Sequence, residues 1–318
     1  MRTVTVIFTL MLIAPSLRAG PLNPRWVPAD AKWLVHIDVN AGLHSQVGKA
    51  ALDFALSNPD LKQALDKAQA TLGMKLPSDI HDVTLYGRSF GPDGVVIVHA
   101  ELNRDKLMSL LQSTKDLKSS DLRGRTIYTW EEDSPKDQTD ASHTSAGALI
   151  DDTTVVLGHD KESIVAALDV IDGKQPALDS GSLLAQPAPP GTVGFIAAIH
   201  LESVANAPDR SPLFQKCREG LLALGEHEGQ AFMHAQIKAQ STEYAQQLTT
   251  MMKGMQALAE LQNPQIGKDL DLVRVTNDDK VVRVDWHAPG ADVASLIGQL
   301  SPRQPGAMAS TRPAGEGR

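Results

Sequence analysis

The sequence has fewer basic than acidic residues, and it has no cluster of Lys or Arg. It contains 30 Lys and Arg against 38 Asp and Glu, which gives a formal net charge of −8. Loss of residues 1–19 would remove Arg2 and Arg18 and no acid, so the charge would become −10 (28 basic against 38 acidic). A negative chain without a basic patch is repelled by a phosphate backbone. We therefore expect no nucleic-acid partner.

Cysteine is nearly absent, because Cys217 is the only one in the chain. A single thiol excludes an internal disulfide, so a packed core has to hold the fold together. Cys217 lies among apolar residues at helical spacing, including Phe214 and Leu221. This context predicts a buried, unreactive thiol on a helix rather than a nucleophile.

Long apolar runs are also missing, and a short one lies at the start of the chain. Arg2 precedes the apolar stretch 4–14, and Pro15 and the small residue Ala19 follow it. This order is typical of a secretory signal peptide. The run is shorter than the roughly 20 residues of a membrane-spanning helix. We expect residues 1–19 to be a signal peptide, with an uncleaved anchor as the alternative. The mature chain is then exported to the periplasm or the extracellular space and contains no transmembrane span.

Proline, glycine and polar residues divide the remainder of the chain. Residues 301–318 combine Pro, Gly, Ala and Arg without an apolar period, which predicts a disordered tail. Residues 178–191 (LDSGSLLAQPAPPG) are the internal stretch with the composition of a linker. The sequence therefore predicts a first unit at 20–177 and a second unit at 192–300.

The two units begin with the same kinds of element. An alternating strand opens each of them, at 32–39 in the first unit and at 192–201 in the second. In the first unit a helical region follows at 43–72, with a break at Asn58-Pro59. The apolar spacing at 212–224 predicts the matching helix of the second unit.

A later strand in each unit has the same His-Ala step, followed by Glu or Gln. These strands lie at 95–102 and 231–237, and each leads into a helix with a capping residue, Asn103 or Ser241. A pair of strands with an acidic turn and a short helix complete both units. Hairpins outnumber crossovers, which favours antiparallel pairing. We predict an α+β fold of two tandem homologous halves, each a mostly antiparallel sheet with helices packed on one face.

One motif suggests a serine hydrolase. Residues 87–91 (GRSFG) match the Gly-x-Ser-x-Gly nucleophile elbow, in which a strand turns into a helix and exposes the serine. A strand at 83–86 does precede Ser89, but residues 92–94 (PDG) and another strand follow it. No helix is expected where the oxyanion hole would form, so a hairpin loop is the favoured interpretation. We predict no catalytic residues.

Histidines two residues from an acid suggest metal ligands. Residues two apart on a strand share a face, and imidazole with carboxylate can bind zinc or a similar ion. The pairs are His36 with Asp38, His99 with Glu101, His200 with Glu202, and His287 with Asp285. They lie at strand ends and lack the spacing of zinc motifs, so hydrogen-bonded pairs are the favoured interpretation. We predict no metal, and the first three pairs are the candidates if one binds.

Apolar residues mark one face of a long helix in the second unit. They are Leu248, Met251, Met252, Met255, Leu258 and Leu261. We expect this face to cover the second sheet, and a soft contact surface for an envelope protein is the alternative. The sequence contains no P-loop or dinucleotide-binding fingerprint, and we predict no cofactor.

Three segments carry a resemblance to a known family. Residues 27–39 (VPADAKWLVHIDV), 82–102 (DVTLYGRSFGPDGVVIVHAEL) and 223–237 (ALGEHEGQAFMHAQI) resemble a family of exported proteins of unknown function from planctomycete-type bacteria. The resemblance extends from about residue 27 to 300. It implies export and a shared fold, and it provides no catalytic residues.

The sequence as a whole favours a non-enzymatic binding or structural protein with an unidentified ligand. No nucleophile, base and oxyanion arrangement occurs in a workable context, and a duplicated fold forms a groove where its halves meet, a common place for ligands. The alternative is a hydrolase or metalloenzyme that uses the His–carboxylate pairs. That alternative requires at least two pairs to converge in one concave site.

Overall fold

The computed structural model describes residues 22–91, 93–132, 143–204, 216–262 and 272–300. In these ranges the chain forms a single 12-stranded sheet in which every pair of neighbouring strands is antiparallel. Seven α-helices pack around the sheet. The predicted signal peptide at 1–19 and the predicted tail at 301–318 lie outside the described residues.

The strands and helices have the following bounds. The strands are β1 Trp33–Asp38, β2 Ile80–Gly87, β3 Val95–Ala100, β4 Lys118–Leu122, β5 Arg125–Glu132, β6 His143–Leu149, β7 Thr154–Gly158, β8 Thr192–Ile199, β9 Cys217–His227, β10 Gln230–Ala239, β11 Arg274–Asp278 and β12 Val281–Pro289. The helices are α1 Val39–His44, α2 Gln46–Leu56, α3 Pro59–Leu72, α4 Arg104–Ser113, α5 Lys161–Ile171, α6 Thr242–Gln262 and α7 Gly290–Leu300. Short 3-10 turns at Pro24–Trp26 and Leu183–Ala185 precede β1 and β8.

The sheet order shows that the two halves have the same topology. The full order is β11-β12-β10-β9-β8-β1-β2-β3-β7-β6-β5-β4. From the centre outward, the first half runs β1-β2-β3-β7-β6 and the second runs β8-β9-β10-β12-β11, and the β4–β5 hairpin extends the first half. The halves join where β1 pairs with β8, with His36 opposite Phe195. The predicted α+β fold of paired antiparallel halves is confirmed, and the halves share one continuous sheet.

Capping residues place the helix boundaries near their predicted positions. The Asn103 side chain accepts a hydrogen bond from the amide of Lys106, and Ser241 accepts one from Tyr244. The predicted break at Asn58-Pro59 separates α2 from α3, because Asn58 caps α3 and Pro59 is its first residue. These local signals confirm three helical predictions. No helix in the described ranges combines the length and apolar character needed to cross a bilayer.

The prediction of a helix at 212–224 is wrong for the part of the segment that the structure describes. Residues from Cys217 onward form β9, and Leu221 and Ala223 point to the side of the sheet opposite to Leu222 and Leu224. In the sequence, a strand with apolar residues on both sides is a continuous apolar run. Such a run cannot be distinguished from a buried helix by periodicity alone.

The two faces of the sheet are covered differently. On the front face, which carries Leu34 and Phe195, the main core packs under α5 and under the segments that precede β1 and β8. On the back face, which carries Val35 and Ile196, α6 packs over β10–β12 and forms the second core. Helix α4 packs on the same face over β5–β7. The first half therefore has helices on both faces, which differs from the predicted one-face arrangement.

The predicted linker at 178–191 contributes to the main core. Leu178 is 7% exposed and Leu184 is fully buried. The backbone amide of Leu178 donates a hydrogen bond to the carbonyl of Val27, so this stretch lies beside the segment that precedes β1. Its composition predicted a connection, but its apolar side chains anchor it to the sheet.

Charged residues lie on both edge strands. Strand β4 ends the sheet on one side with exposed Lys118 and Asp121, and β11 ends it on the other with exposed Arg274 and Asp278. Charges on edge strands oppose pairing with another chain. The apolar strands β1 and β8 lie at the centre, where both neighbours are present.

Candidate functional site

The back face of the sheet is apolar where the two halves meet. Direct cross-strand pairing aligns one row of side chains across the four central strands, in the order Leu85, Val35, Ile196 and Leu222. A second row contains Val83, Ile37, Gly194 and Leu224. We call these eight residues the apolar floor.

The apolar floor is exposed at its centre. Ile37, Ile196 and Leu224 are 41%, 48% and 43% exposed, whereas Leu34 and Phe195 on the front face of the same strands are at most 1% exposed. A Cβ atom added to Gly194 would meet no atom within 4 Å, so the space above the floor is open at that position. A contiguous exposed apolar surface on a folded protein usually marks a contact or ligand site.

Helices α4 and α6 cover the outer strands of the back face, and α1 contacts the central strands β2 and β8 beside the floor. Leu107 and Leu111 of α4 pack with Tyr128 and Leu157 over β5–β7. On the other side, Leu248 of α6 packs in the core of β10–β12. Four strands with a spacing of about 4.8 Å make the floor roughly 15 Å wide. The halves thus meet in a shallow apolar groove, and α4 and α6 occupy equivalent places after the third strand of each half.

The front face of the first half contains a buried polar cluster. His36 is 5% exposed and shares a hydrogen bond of 2.9 Å with Thr84 through Nδ1. Asp82 is 4% exposed and accepts a hydrogen bond of 2.8 Å from Nδ1 of His99. Trp26 covers His99, with 4.9 Å between the ring centroids. The Nε2 atom of His36 is buried without a hydrogen-bond partner among the described residues.

Burial shifts the protonation of two groups in this cluster. Desolvation lowers the pKa of His36, and the nearby Asp82 carboxylate opposes that shift. Desolvation raises the pKa of Asp38, while a hydrogen bond from the amide of Ala41 opposes it. His36 binds a proton more readily in the unfolded chain than in the folded one. The folded protein therefore loses stability as pH falls below about 6.5.

The structure brings together only one of the predicted His–carboxylate pairs. His200 Nδ1 lies 3.5 Å from Glu202, and His200 is exposed. His36 contacts Thr84 rather than Asp38, and His99 contacts Asp82 rather than Glu101.

The fourth predicted pair is also replaced by a contact across strands. Asp285 accepts a hydrogen bond of 2.6 Å from His234 and not from His287. No group of three His, Cys, Asp or Glu residues that could hold a metal ion occurs in the ranges the structure describes.

The Gly-x-Ser-x-Gly segment lies in the loop between β2 and β3. Ser89 donates a hydrogen bond of 2.6 Å to Asp93, and its hydroxyl oxygen accepts one from the amide of Gly91. The described residues after the loop continue into β3. Ser89 is therefore held in a turn by an acid, and no helix follows it.

The predictions for Cys217 and for the apolar face of the long helix are partly wrong. Cys217 is 3% exposed, as predicted, but it lies on strand β9, and burial raises the pKa of its thiol. In α6, Leu248 faces the sheet, whereas Met255 and Leu261 are 64% and 82% exposed. The apolar stripe is broader than the contact with the sheet.

Sequence reasoning missed the partners that come from neighbouring strands. Asp82, Thr84 and His234 were not predicted as the partners of His99, His36 and Asp285, because spacing along one strand does not reveal cross-strand register. The floor was also missed, although one signal for it exists. Strands β1, β8 and β9 carry apolar residues on both faces, which indicates either cover on both sides or an apolar surface.

No protein-family model matches the chain, and no curated protein matches it. Among solved structures, the chain is similar to TP0453, a Treponema protein. Crystal form I of TP0453 has 10% sequence identity and a TM-score of 0.47, over 89% of this chain and 99% of that chain. Crystal form III has 9% identity and a TM-score of 0.45, over 89% of this chain and 100% of that chain.

Proposed function

We propose that this is an exported, non-enzymatic binding protein whose apolar floor holds the hydrocarbon part of a small amphiphilic ligand. The observation that carries the proposal is the exposure of Ile37, Ile196 and Leu224 at the junction of the two halves. Side chains on the other face of the same strands are buried. The exposure is therefore a property of the back face, and loose packing of these strands does not cause it.

The chemistry of the floor selects the kind of ligand. The eight floor residues provide no hydrogen-bonding side chain, and their backbone groups are used in the central strand pairs. A peptide that binds by strand addition needs a free strand edge, which the four central strands do not have. Burial of hydrocarbon needs only apolar area, at about 25 cal/mol per Å². An alkyl chain therefore fits the floor better than a peptide strand.

The separation of the histidine pairs supports a non-enzymatic role. The pair His99–Asp82 involves β3, and the pair His234–Asp285 involves β10. Strands β2, β1, β8 and β9 lie between them, so β3 and β10 are about 24 Å apart at a spacing of 4.8 Å per strand. Two pairs at that distance do not share one catalytic pocket, which the hydrolase or metalloenzyme alternative requires.

Binding of a fluorescent C16 fatty acid by the purified full chain tests the proposal. We expect saturable binding, and the variant Ile196→Glu should weaken it at least tenfold, because an ionised carboxylate in the floor opposes burial of hydrocarbon. Leu258→Glu is the matched control, since Leu258 is an exposed apolar residue of α6 outside the floor. Its affinity for the probe should stay that of the unchanged protein.

Two results would contradict the proposal. One is equal loss of probe binding in the Ile196 and Leu258 variants, which would indicate a non-specific apolar surface. The other is a concentration-dependent dimer in size-exclusion chromatography that Ile196→Glu abolishes while the probe does not compete with it. The floor would then be an interface between two copies of the chain.

Export is part of the proposal, and the sequence of residues 1–19 supports it. Expression of the full chain in a Gram-negative host should yield protein in the periplasmic fraction whose intact mass lacks residues 1–19. A variant with Arg inserted in the apolar stretch 4–14 should stay in the cytoplasmic fraction with its full mass. Cytoplasmic accumulation of the unchanged chain at full mass would overturn the assignment.

A further inference from the structure

The front face of the second half contains a cavity where the first half is filled. The halves start alike: a 3-10 turn capped by Asn23 or Ser182 precedes β1 or β8, and six residues (27–32 and 186–191) separate turn from strand in each case. The turn at Leu183–Ala185 therefore occupies in the second half the place that Pro24–Trp26 occupies in the first.

An acid paired with a basic side chain lies at the same place in both halves. In the first half, the last residue of β1, Asp38, is aligned across the strands with Asp82 and His99. In the second half, the last residue of β8, Ile199, is aligned with Glu219 and Lys238. Each row carries an acid paired to a basic group on the next strand, at 2.8 Å for His99–Asp82 and 2.9 Å for Lys238–Glu219.

The two rows differ in what covers them. Trp26 from the first turn lies against His99 and closes the first row. At the second turn, Gly181, Ser182 and Leu183 line the space near the second row. A cavity of about 500 Å³ remains there, which is within the range of small-molecule sites.

Two charged groups that line this cavity are incompletely paired within the described part of the chain. Arg218 is exposed at the start of β9 and makes no ion pair with the described residues. One carboxylate oxygen of Glu202, Oε2, is buried without a hydrogen-bond partner in the same part of the chain. The other carboxylate oxygen, Oε1, lies 3.5 Å from His200, and the Glu202 side chain as a whole is 40% exposed. Among the described residues, the cavity thus presents the Arg218 cation and the Glu202 carboxylate, which lies 3.5 Å from His200, beside the Lys238–Glu219 pair.

The backbone next to these groups is held in an unusual conformation. His200 has a φ of +57°, in the left-handed region that side chains other than glycine seldom adopt. It lies directly after β8, and its ring is 3.5 Å from Glu202. Such strain often occurs where a side chain is positioned for binding. The turn at His200 brings Glu202 to the cavity wall.

We propose that this cavity binds a small zwitterion with an ammonium and a carboxylate group, as in an amino acid or a dipeptide. Arg218 would bind the carboxylate through two parallel N–H donors, and the partly exposed Glu202 carboxylate would accept a hydrogen bond from the ammonium group. A simple anion would meet Glu202 and Glu219, and a simple cation would meet Arg218 and Lys238. A ligand with both charges matches Arg218 and Glu202 together.

Isothermal titration of the full chain with L-alanyl-L-alanine and with L-alanine tests the site. We expect saturable binding of at least one of them, and Arg218→Ala and Glu202→Gln should each weaken it at least tenfold. Acetate and ethylamine, which carry one charge each, should bind at least tenfold more weakly. Arg283→Ala is the matched control, because Arg283 is a partly exposed arginine of β12 outside the cavity, and binding should be unchanged.

Three outcomes would overturn the proposal. The first is no heat of binding for either zwitterion up to about 10 mM, with thermal melting that shows a folded protein. The second is acetate that binds as tightly as the dipeptide, which would make the cavity a plain anion site. The third is binding that survives both substitutions. The variant Ile196→Glu leaves this cavity intact, so it separates the zwitterion site from the apolar floor.

Discussion

Replacement of Phe195 by alanine is expected to lower the free energy of unfolding by about 3–5 kcal/mol. Phe195 is 1% exposed and lies on β8, between His36 of β1 and Ala223 of β9. It is among the largest fully buried side chains of the main core. Its removal leaves a cavity at the seam of the two halves, where neighbours are held by strand pairs on both sides and cannot collapse into the space.

The next residue on the same strand provides the control. Ile196 points to the back face and is 48% exposed, so Ile196→Ala should cost less than about 1 kcal/mol. Urea denaturation followed by circular dichroism measures both variants. Equal destabilisation by the two substitutions would show that both faces of β8 are packed, and it would remove the basis for an open floor.

The second large effect is expected from Asp82→Ala. Asp82 is 4% exposed and accepts the hydrogen bond from His99. Its removal leaves the ring of His99 without that partner beneath Trp26, and the loss of one partner of a buried hydrogen bond typically costs about 1–3 kcal/mol. Asp285→Ala is the matched control, because Asp285 pairs with His234 but is 35% exposed, and it should cost at most about 1 kcal/mol.

The pH dependence of stability tests the burial of His36 in the same cluster. The pKa of His36 in the fold lies below its ordinary value because of burial, so the unfolded state binds more protons. The unchanged protein should lose stability as pH falls from about 7 toward 5, and His36→Gln should reduce that slope. A slope that is the same in both proteins would show that His36 does not titrate differently in the fold.

Local signals in the sequence predicted much of the architecture. The capping residues Asn103 and Ser241 and the break at Asn58-Pro59 depend on neighbours within a few positions, so they can be identified without tertiary information. The matching order of elements predicted two halves of one kind, and the sheet order agrees with it.

The details that depend on long-range pairing could not be predicted. Residues 217–224 have apolar side chains on both sides of the chain, a pattern that also fits a buried helix. Only the pairing with β8 and β10 determines that they form a strand. The contact of His99 with Asp82 is set by the register of β2 and β3. The exposure of Ile196 depends on which outer strands α4 and α6 cover. The sequence of β8 contains no pattern that indicates which strands those are.

The pairing of β1 with β8 also affects when the sheet can be completed during synthesis. Strand β1 ends at Asp38 and β8 begins at Thr192, so the 153 residues from 39 to 191 are made between them. Until β8 emerges, one side of an apolar central strand lacks its hydrogen-bond partner and can pair with other nascent chains. The N-terminal half therefore reaches its finished state only after most of the polypeptide has left the ribosome, and long-range closure of this kind folds slowly.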